Sequence, residues 1–178
     1  MFLALNQLNQ SVLFVAYHIA ASSLPLSWVA IFLAQWLPYG AICFVVVHEL
    51  FFEEEDKSFF QTLKRFALPA FFAWIVVLFL KYFINEPRPF VGELGITPLV
   101  SVPDAFGSFP SAHATVFGAL FGAMFYERFP YWRWYGLIAI LVAIGRVACG
   151  VHWPSDVLVG LVWGGFVGYV GALLLRFK

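Results

Sequence analysis

Charge is what this sequence has least of. Only 11% of its 178 residues are Asp, Glu, Lys or Arg, ten of each sign, so the formal net charge is zero. Soluble domains carry about a quarter charged residues. With 62% hydrophobic residues and a mean hydropathy of +0.87, a water-soluble domain is excluded. Cysteine is nearly absent too. Cys43 and Cys149 fall inside apolar runs, so they read as packing residues and not as a disulfide or a metal site. Tandem repeats and low-complexity tracts are missing. The first ten residues, "MFLALNQLNQ", hold no Lys or Arg and therefore lack the basic start of a secretory signal, so they are expected to stay in the mature protein.

What is present is a series of apolar runs of membrane-crossing length, which takes roughly 20 helical residues. The pattern predicts an all-α, polytopic helical bundle forming a single domain over residues 1–178, with spans near 26–50, 63–84, 111–127, 132–150 and 154–176. Residues 3–21 mix Asn6, Gln7, Asn9 and Gln10 with a short apolar run. They are expected to form a sixth helix, within an N-terminal segment of residues 1–22, that lies at the interface or enters the membrane only partly. Pro38 and Pro69 are expected to bend their helices. Gly118, Gly122, Gly160, Gly164 and Gly168 read as close helix packing within the bundle first and dimerisation second.

Two connections are longer than the rest. "FFEEEDKSFFQ" reads as a solvated acidic turn. The Pro- and Gly-rich residues 85–110 form a loop of a length that is usually functional or disordered, and it joins two stretches with chemistry in them. Laying the spans antiparallel puts Lys57, Lys64, Arg65, Arg128, Arg133, Arg176 and Lys178 at one face, and Lys81, Arg88 and Arg146 near the other. The positive-inside tendency makes the first face cytoplasmic and places the 85–110 loop outside. Three cations near lipid are costly unless they are paired or line a polar cavity, so they invite an anionic ligand.

Three stretches converge on that outer face. In "KYFINEPRP", Lys81 on the last turns of a helix alone would read as snorkelling to the interface, whereas Arg88 is held on stiff backbone between Pro87 and Pro89. In "FPSAHATVFG", Pro110 suits a first helical turn, so Ser111, Ala112 and His113 stand where backbone amides lack helical partners and can receive an anion. Ser111 alone reads equally well as a cap, and His113 alone as an interfacial polar residue. In "GRVACGVHWPSD", Asp156 follows His152 by four residues, a spacing that lets the carboxylate orient the imidazole, while Asp156 alone would read as an acid on a helix dipole.

Together "KYFINEPRP", "PSAH" and "GRVACGVHWPSD" resemble the three signatures of the type 2 phosphatidic acid phosphatase superfamily. These run Lys, six residues, Arg-Pro; Pro-Ser-Gly-His; and Ser-Arg, five residues, His, three residues, Asp. The likeness runs from about residue 60 to the C-terminus, with Ala112 where Gly is usual and Gly145 where Ser is usual. It implies a phosphatase that needs no metal or other cofactor and works through a phosphohistidine. His152 would be the nucleophile, Asp156 its orienting acid and His113 the proton donor to the leaving oxygen. Lys81, Arg88, Ser111, Arg146 and the amide near Ala112 would hold the phosphoryl oxygens. Gly145 would remove one hydroxyl contact and shift substrate preference. The small chain looks most like bacterial undecaprenyl pyrophosphate phosphatases of the cytoplasmic membrane. Phosphatidylglycerophosphate, phosphatidate and lipid A are the other candidate substrates. The partners implied are a phosphorylated lipid and the bilayer, not nucleic acid. An inactive lipid-binding protein is the reading of another class, and intact His113, His152 and Asp156 speak against it. A transporter or channel would place its charges mid-span, whereas these cluster at one face.

Overall fold

The computed structural model describes residues 2–51, 59–92 and 94–176. The acidic run at 52–58, with Lys57, and the terminal Lys178 lie outside the described residues. All regular structure among the described residues is helical apart from one isolated antiparallel bridge between Pro87 and Phe106. The helices are α1 (Phe2–Ala21), α2 (Leu24–Ile31), a π-helical turn (Phe32–Trp36), α3 (Leu37–Phe51), α4 (Phe59–Ile84), a 3-10 turn (Pro89–Val91), α5 (Ala112–Tyr126), α6 (Trp132–Ala148) and α7 (Pro154–Arg176). Because α2, the π-turn and α3 run end to end, the described residues make six rods, and each expected span coincides with one.

Three stretches, Leu24–His48, Lys64–Ile84 and Pro154–Leu175, are long and apolar enough to cross a membrane. The expectation of five spans is not met by length in the other two. α5 has 15 residues and α6 has 17, about 23 and 26 Å of helix against a hydrocarbon core of roughly 30 Å. Packing explains how α5 is accommodated, because it is the centre of the bundle, surrounded by α4, α6 and α7. Around it the outward faces are strongly apolar. Trp28, Phe79, Phe83 and Val162 each have more than half of their surface exposed, an arrangement suited to lipid and not to water.

Glycine sets the closest approach. A Cβ at Gly164 or Gly168 of α7 would lie 2.0 Å from the carbonyl oxygen of Thr115 or Ala119, and one at Gly122 of α5 would lie 2.1 Å from that of Gly165. The small-residue series therefore joins α5 to α7 within one chain, as the packing reading expected. α4 continues as a single helix through Pro69, whose ring sits against Gly171 of α7. Near Pro38 the irregularity falls one turn earlier. Leu37 N–H bonds the Phe32 carbonyl five residues back, in the turn just before the proline that cannot donate. Cys149 is buried in the core as expected, whereas Cys43 is exposed on α3.

α1 is better anchored than its broken hydropathy suggests. Leu13, Tyr17 and Ala20, on one face, pack against Ile96, Val100, Ala143, Val147 and Ala148, all at the end of the bundle where residues 85–110 run. Asn9 reaches the first turn of α7, accepting from Ser155 N–H at 2.9 Å and donating to Ser155 Oγ at 3.0 Å. The Tyr17 hydroxyl donates to the Thr97 carbonyl at 2.9 Å and accepts from its N–H at 3.1 Å. Contacts at positions 9, 13, 17 and 20 all fall toward that end, so α1 packs against it.

Candidate active site

The long loop is held at several points. Arg88 N–H bonds Ala105 O at 3.1 Å and Ser108 N–H bonds Glu86 O at 2.9 Å, which pairs the two arms of the loop on either side of the Pro87–Phe106 bridge. Leu99 N–H reaches Cys149 O at 3.0 Å, and the Trp153 indole reaches Pro87 O at 3.0 Å. With both flanks fixed, Arg88 turns inward and is buried. Its Nε donates to Asp104 O at 2.8 Å and its Nη1 to Val151 O at 2.8 Å. Lys81, near the end of α4, donates to the carbonyls of Gly107 and Ser108.

The corner between α6 and α7 is made by Gly150, whose φ of +72° suits a residue without a Cβ and reverses the chain after α6. A side chain there would also strike Ile96, 2.6 Å away. The reversal delivers His152, 2% exposed, to the centre of the site. Asp156 follows one turn later, and its Oδ2 accepts from Trp153 N–H at 2.9 Å. The same oxygen stands 3.4 Å from His152 Nδ1.

Arginine can only donate hydrogen bonds. The 3.3 Å contact between Arg88 Nη1 and His152 Nε2 therefore makes Nε2 the acceptor. The imidazole proton then sits on Nδ1, toward Asp156, and the lone pair of Nε2 points to the cations. Burial, followed by the charges of Arg146, Arg88 and Lys81, pushes this imidazole well below its ordinary ionisation, so it is held neutral. Arg88 is also lowered, chiefly by burial.

Two polar atoms here have no hydrogen-bond partner among the described residues: Ser111 Oγ and Arg146 Nε, both buried. Ser111 is the N-cap residue of α5, and its side chain does not cap the helix, which removes the capping reading. Its N–H instead bonds Asp156 O at 3.1 Å, locking the first turns of α5 and α7 together. Lys81, Arg88, Ser111, His113, Arg146, His152 and Asp156 thus gather at one end of the bundle, with Ala112 and His113 on the first turn of α5. Ala112 and His113 also line a cavity of about 200 Å³ with Pro38, Tyr39, Ile42 and Trp74. A second, wholly apolar cavity of about 280 Å³ shares Ile42, Trp74 and Val116 with it and continues to Phe66 and Leu120. Lys81 and Arg88 also border a recess of about 490 Å³ of mixed polar and apolar lining, with Tyr82, Asn85, Asp104 and Phe106.

Two results differ from the sequence reading. Gly145 does not face the site: a Cβ on it would lie 2.7 Å from Ala34 N and 2.8 Å from Leu33 Cβ, so it serves the contact between α6 and the π-turn, and no hydroxyl contact to a substrate is missing there. Ser108 belongs to the site as well, although no motif includes it. It is completely buried, and its hydroxyl donates to Asp156 Oδ2 at 2.5 Å. Nothing in "AFGSFP" separates this serine from Ser101 in the same loop.

The lipid A 1-phosphatase of Rhizobium etli is 38% identical over 109 residues, covering 58% of this chain and 46% of that protein. The undecaprenyl-diphosphatase of Sulfolobus acidocaldarius is 30% identical over 118 residues, covering 62% and 56%. The chain spans about half the length of these curated relatives. The crystal structure of Aquifex aeolicus LpxE superposes with a TM-score of 0.74 at 25% identity, over 92% of this chain and 94% of that one. The family model of the PAP2 superfamily matches residues 63–178, a stretch that contains all three motifs, and by that match the chain belongs to the PAP2 superfamily.

Proposed function

We propose that this protein is a metal-independent phosphatase of membrane lipids that works through a phosphohistidine at His152, with undecaprenyl diphosphate as its substrate. The observation that carries this reading is the unpartnered pair Ser111 Oγ and Arg146 Nε, buried in the same site as a neutral imidazole whose Nε2 already accepts from Arg88. Buried donors without partners are costly, and phosphoryl oxygens supply the acceptors they lack.

In the proposed reaction Arg146, Ser111, Lys81 and the first-turn amides at Ala112 and His113 take the phosphoryl oxygens. Arg88 moves its Nη1 from His152 to one of them. Nε2 attacks phosphorus, the bond to the leaving oxygen breaks, and His113 protonates that oxygen. Asp156 accepts from Nδ1–H and stabilises the charge that develops on the ring. Water then attacks the phosphohistidine, giving its proton to His113, and phosphate leaves. Positioning and preorganised charge supply the rate enhancement.

His113 lines a cavity that shares Ile42, Trp74 and Val116 with the apolar one, which supports a leaving group that enters hydrocarbon surroundings, as a lipid requires. The Sulfolobus relative supports the prenyl diphosphate. Lipid A is the second reading, favoured by the Rhizobium relative. The excess of cations at the opposite end supports a site on the outer face of the bacterial cytoplasmic membrane.

The test is phosphate release by purified protein in detergent with EDTA, from undecaprenyl diphosphate, lipid A, phosphatidylglycerophosphate and phosphatidate, beside His152→Ala. We expect EDTA-resistant turnover, fastest on undecaprenyl diphosphate and lost in the variant. Activity retained by His152→Ala, or abolished by EDTA, would refute the mechanism. Faster turnover of lipid A would move the substrate to the second reading.

A further inference from the structure

Ser108 has no place in the three motifs, yet it is at the centre of their hydrogen bonding. We infer that Ser108 is a positioning residue, which fixes the Asp156 carboxylate and completes the acceptor set of the His152 Nδ1 proton. The inference rests on the phosphohistidine reading above and deepens it.

The geometry is a closed triangle. Ser108 Oγ lies 2.5 Å from Asp156 Oδ2 and 3.5 Å from His152 Nδ1, and Asp156 Oδ2 lies 3.4 Å from the same nitrogen. The hydroxyl has one proton, and an ionised carboxylate can only accept, so that proton goes to Asp156. A lone pair on Oγ is left facing the imidazole, whose Nδ1 carries the ring proton by the Arg88 argument. Nδ1–H thus has two acceptors, both at the long end of hydrogen-bonding range. Neither alone fixes the ring, and together they keep the proton on Nδ1 and the lone pair on Nε2.

Ser108 can hold this position because its own backbone is fixed at both ends. Its N–H bonds Glu86 O, and its carbonyl accepts from Lys81 at 3.4 Å. The Lys81 ammonium also bonds the preceding carbonyl, of Gly107. A phosphate-binding lysine is thereby tied through one residue to the carboxylate behind the nucleophile. The hydroxyl is out of reach of solvent, since Ser108, Asp156 and His152 are all at least 98% buried, and the hydrogen bond between Ser108 and Asp156 is therefore not exchanged for one to bulk water.

The test is a double-mutant cycle with Ser108→Ala and Asp156→Ala, read as kcat and KM on the best lipid substrate, with melting temperature measured for each protein. Ser108 touches no substrate, so Ser108→Ala is expected to lower kcat about 10- to 100-fold, the range for one hydrogen bond to a charged group, and to leave KM within about twofold. In the Asp156→Ala background the same change is expected to cost less than about twofold, because the carboxylate it positions is gone. Ser108→Cys, close in size and a weak donor, is expected to fall between serine and alanine.

A full multiplicative loss in both backgrounds would overturn the inference, as would Ser108→Ala with wild-type kcat, or a loss that appears only as lowered melting temperature. Wild-type protein that does not depend on His152 would instead overturn the phosphohistidine reading, and this inference with it.

Discussion

The family pattern has serine where this chain has Gly145, so Gly145→Ser is the substitution that a consensus approach would choose, and consensus changes commonly add about 0.5–2 kcal/mol of stability. The structure predicts the opposite sign. A Cβ at position 145 would stand 2.7 Å from Ala34 N, 2.8 Å from Leu33 Cβ and 2.9 Å from Leu33 C. Two of these three atoms are main chain, inside the π-turn that α6 packs against, so no side-chain rotation relieves the contact. Overpacking of this kind costs about 1–3 kcal/mol, and for a chain of this size each kcal/mol lowers the melting temperature by roughly 2–4 °C. The neighbouring residue is Arg146, so any retreat of α6 also moves a phosphate ligand of the proposed reaction. We expect Gly145→Ser to melt about 2–12 °C below wild type in detergent and to turn over more slowly. Gly40→Ser is the control, since a Cβ there meets nothing within 4 Å. A Gly145→Ser protein that melts at or above wild type with undiminished turnover would refute the reasoning.

Three further outcomes are expected. The His152 imidazole, held well below its ordinary ionisation by burial and three cations, is expected to remain neutral and protonated on Nδ1 at pH 6, where an exposed histidine near pKa 6.5 is mostly charged; 15N-histidine spectra of wild type and His152→Gln assign the signal, and an imidazolium at that pH contradicts the site. Asn9→Ala removes the side chain that meets Ser155 N–H at the start of α7. It is expected to cost about 1 kcal/mol, as lost helix caps do, and an unchanged melting temperature would show that α1 does not secure this corner. Val116→Trp fills the junction shared by the two cavities. KM for the long-chain lipid is expected to rise about tenfold while that for a short-chain phosphate stays within twofold, and equal effects on both would argue against a chain-binding cavity.

The helix positions were legible in the sequence because proline, glycine and charge mark their ends, and an apolar run needs no partner to be recognised. The gathering of Lys81, Arg88, Ser111, His113, Arg146, His152 and Asp156 was legible for a related reason: an antiparallel reading of the spans already puts their ends together. What escaped depends on contacts between distant elements. Asn9 and Ser155 are 146 residues apart, so the polar residues that made α1 look like a poor span gave no sign that one of them closes another helix. Gly145 read as a lost hydroxyl because hydropathy does not record which way a helix position faces. Ser108 lay hidden because a buried serine and a solvated one are the same letter.

The cavity beside His113 has a kinetic consequence. Its walls and those of its neighbour include Tyr39, Ile42, Phe71 and Trp74, all exposed on the apolar flank of the bundle. A substrate arriving there diffuses in two dimensions and never passes through water. The proposed enzyme then responds to the mole fraction of phosphorylated lipid in its surrounding film, so that adding inert detergent at constant bulk substrate slows it, and crowding of other lipids along that flank competes with turnover without any of them being cleaved.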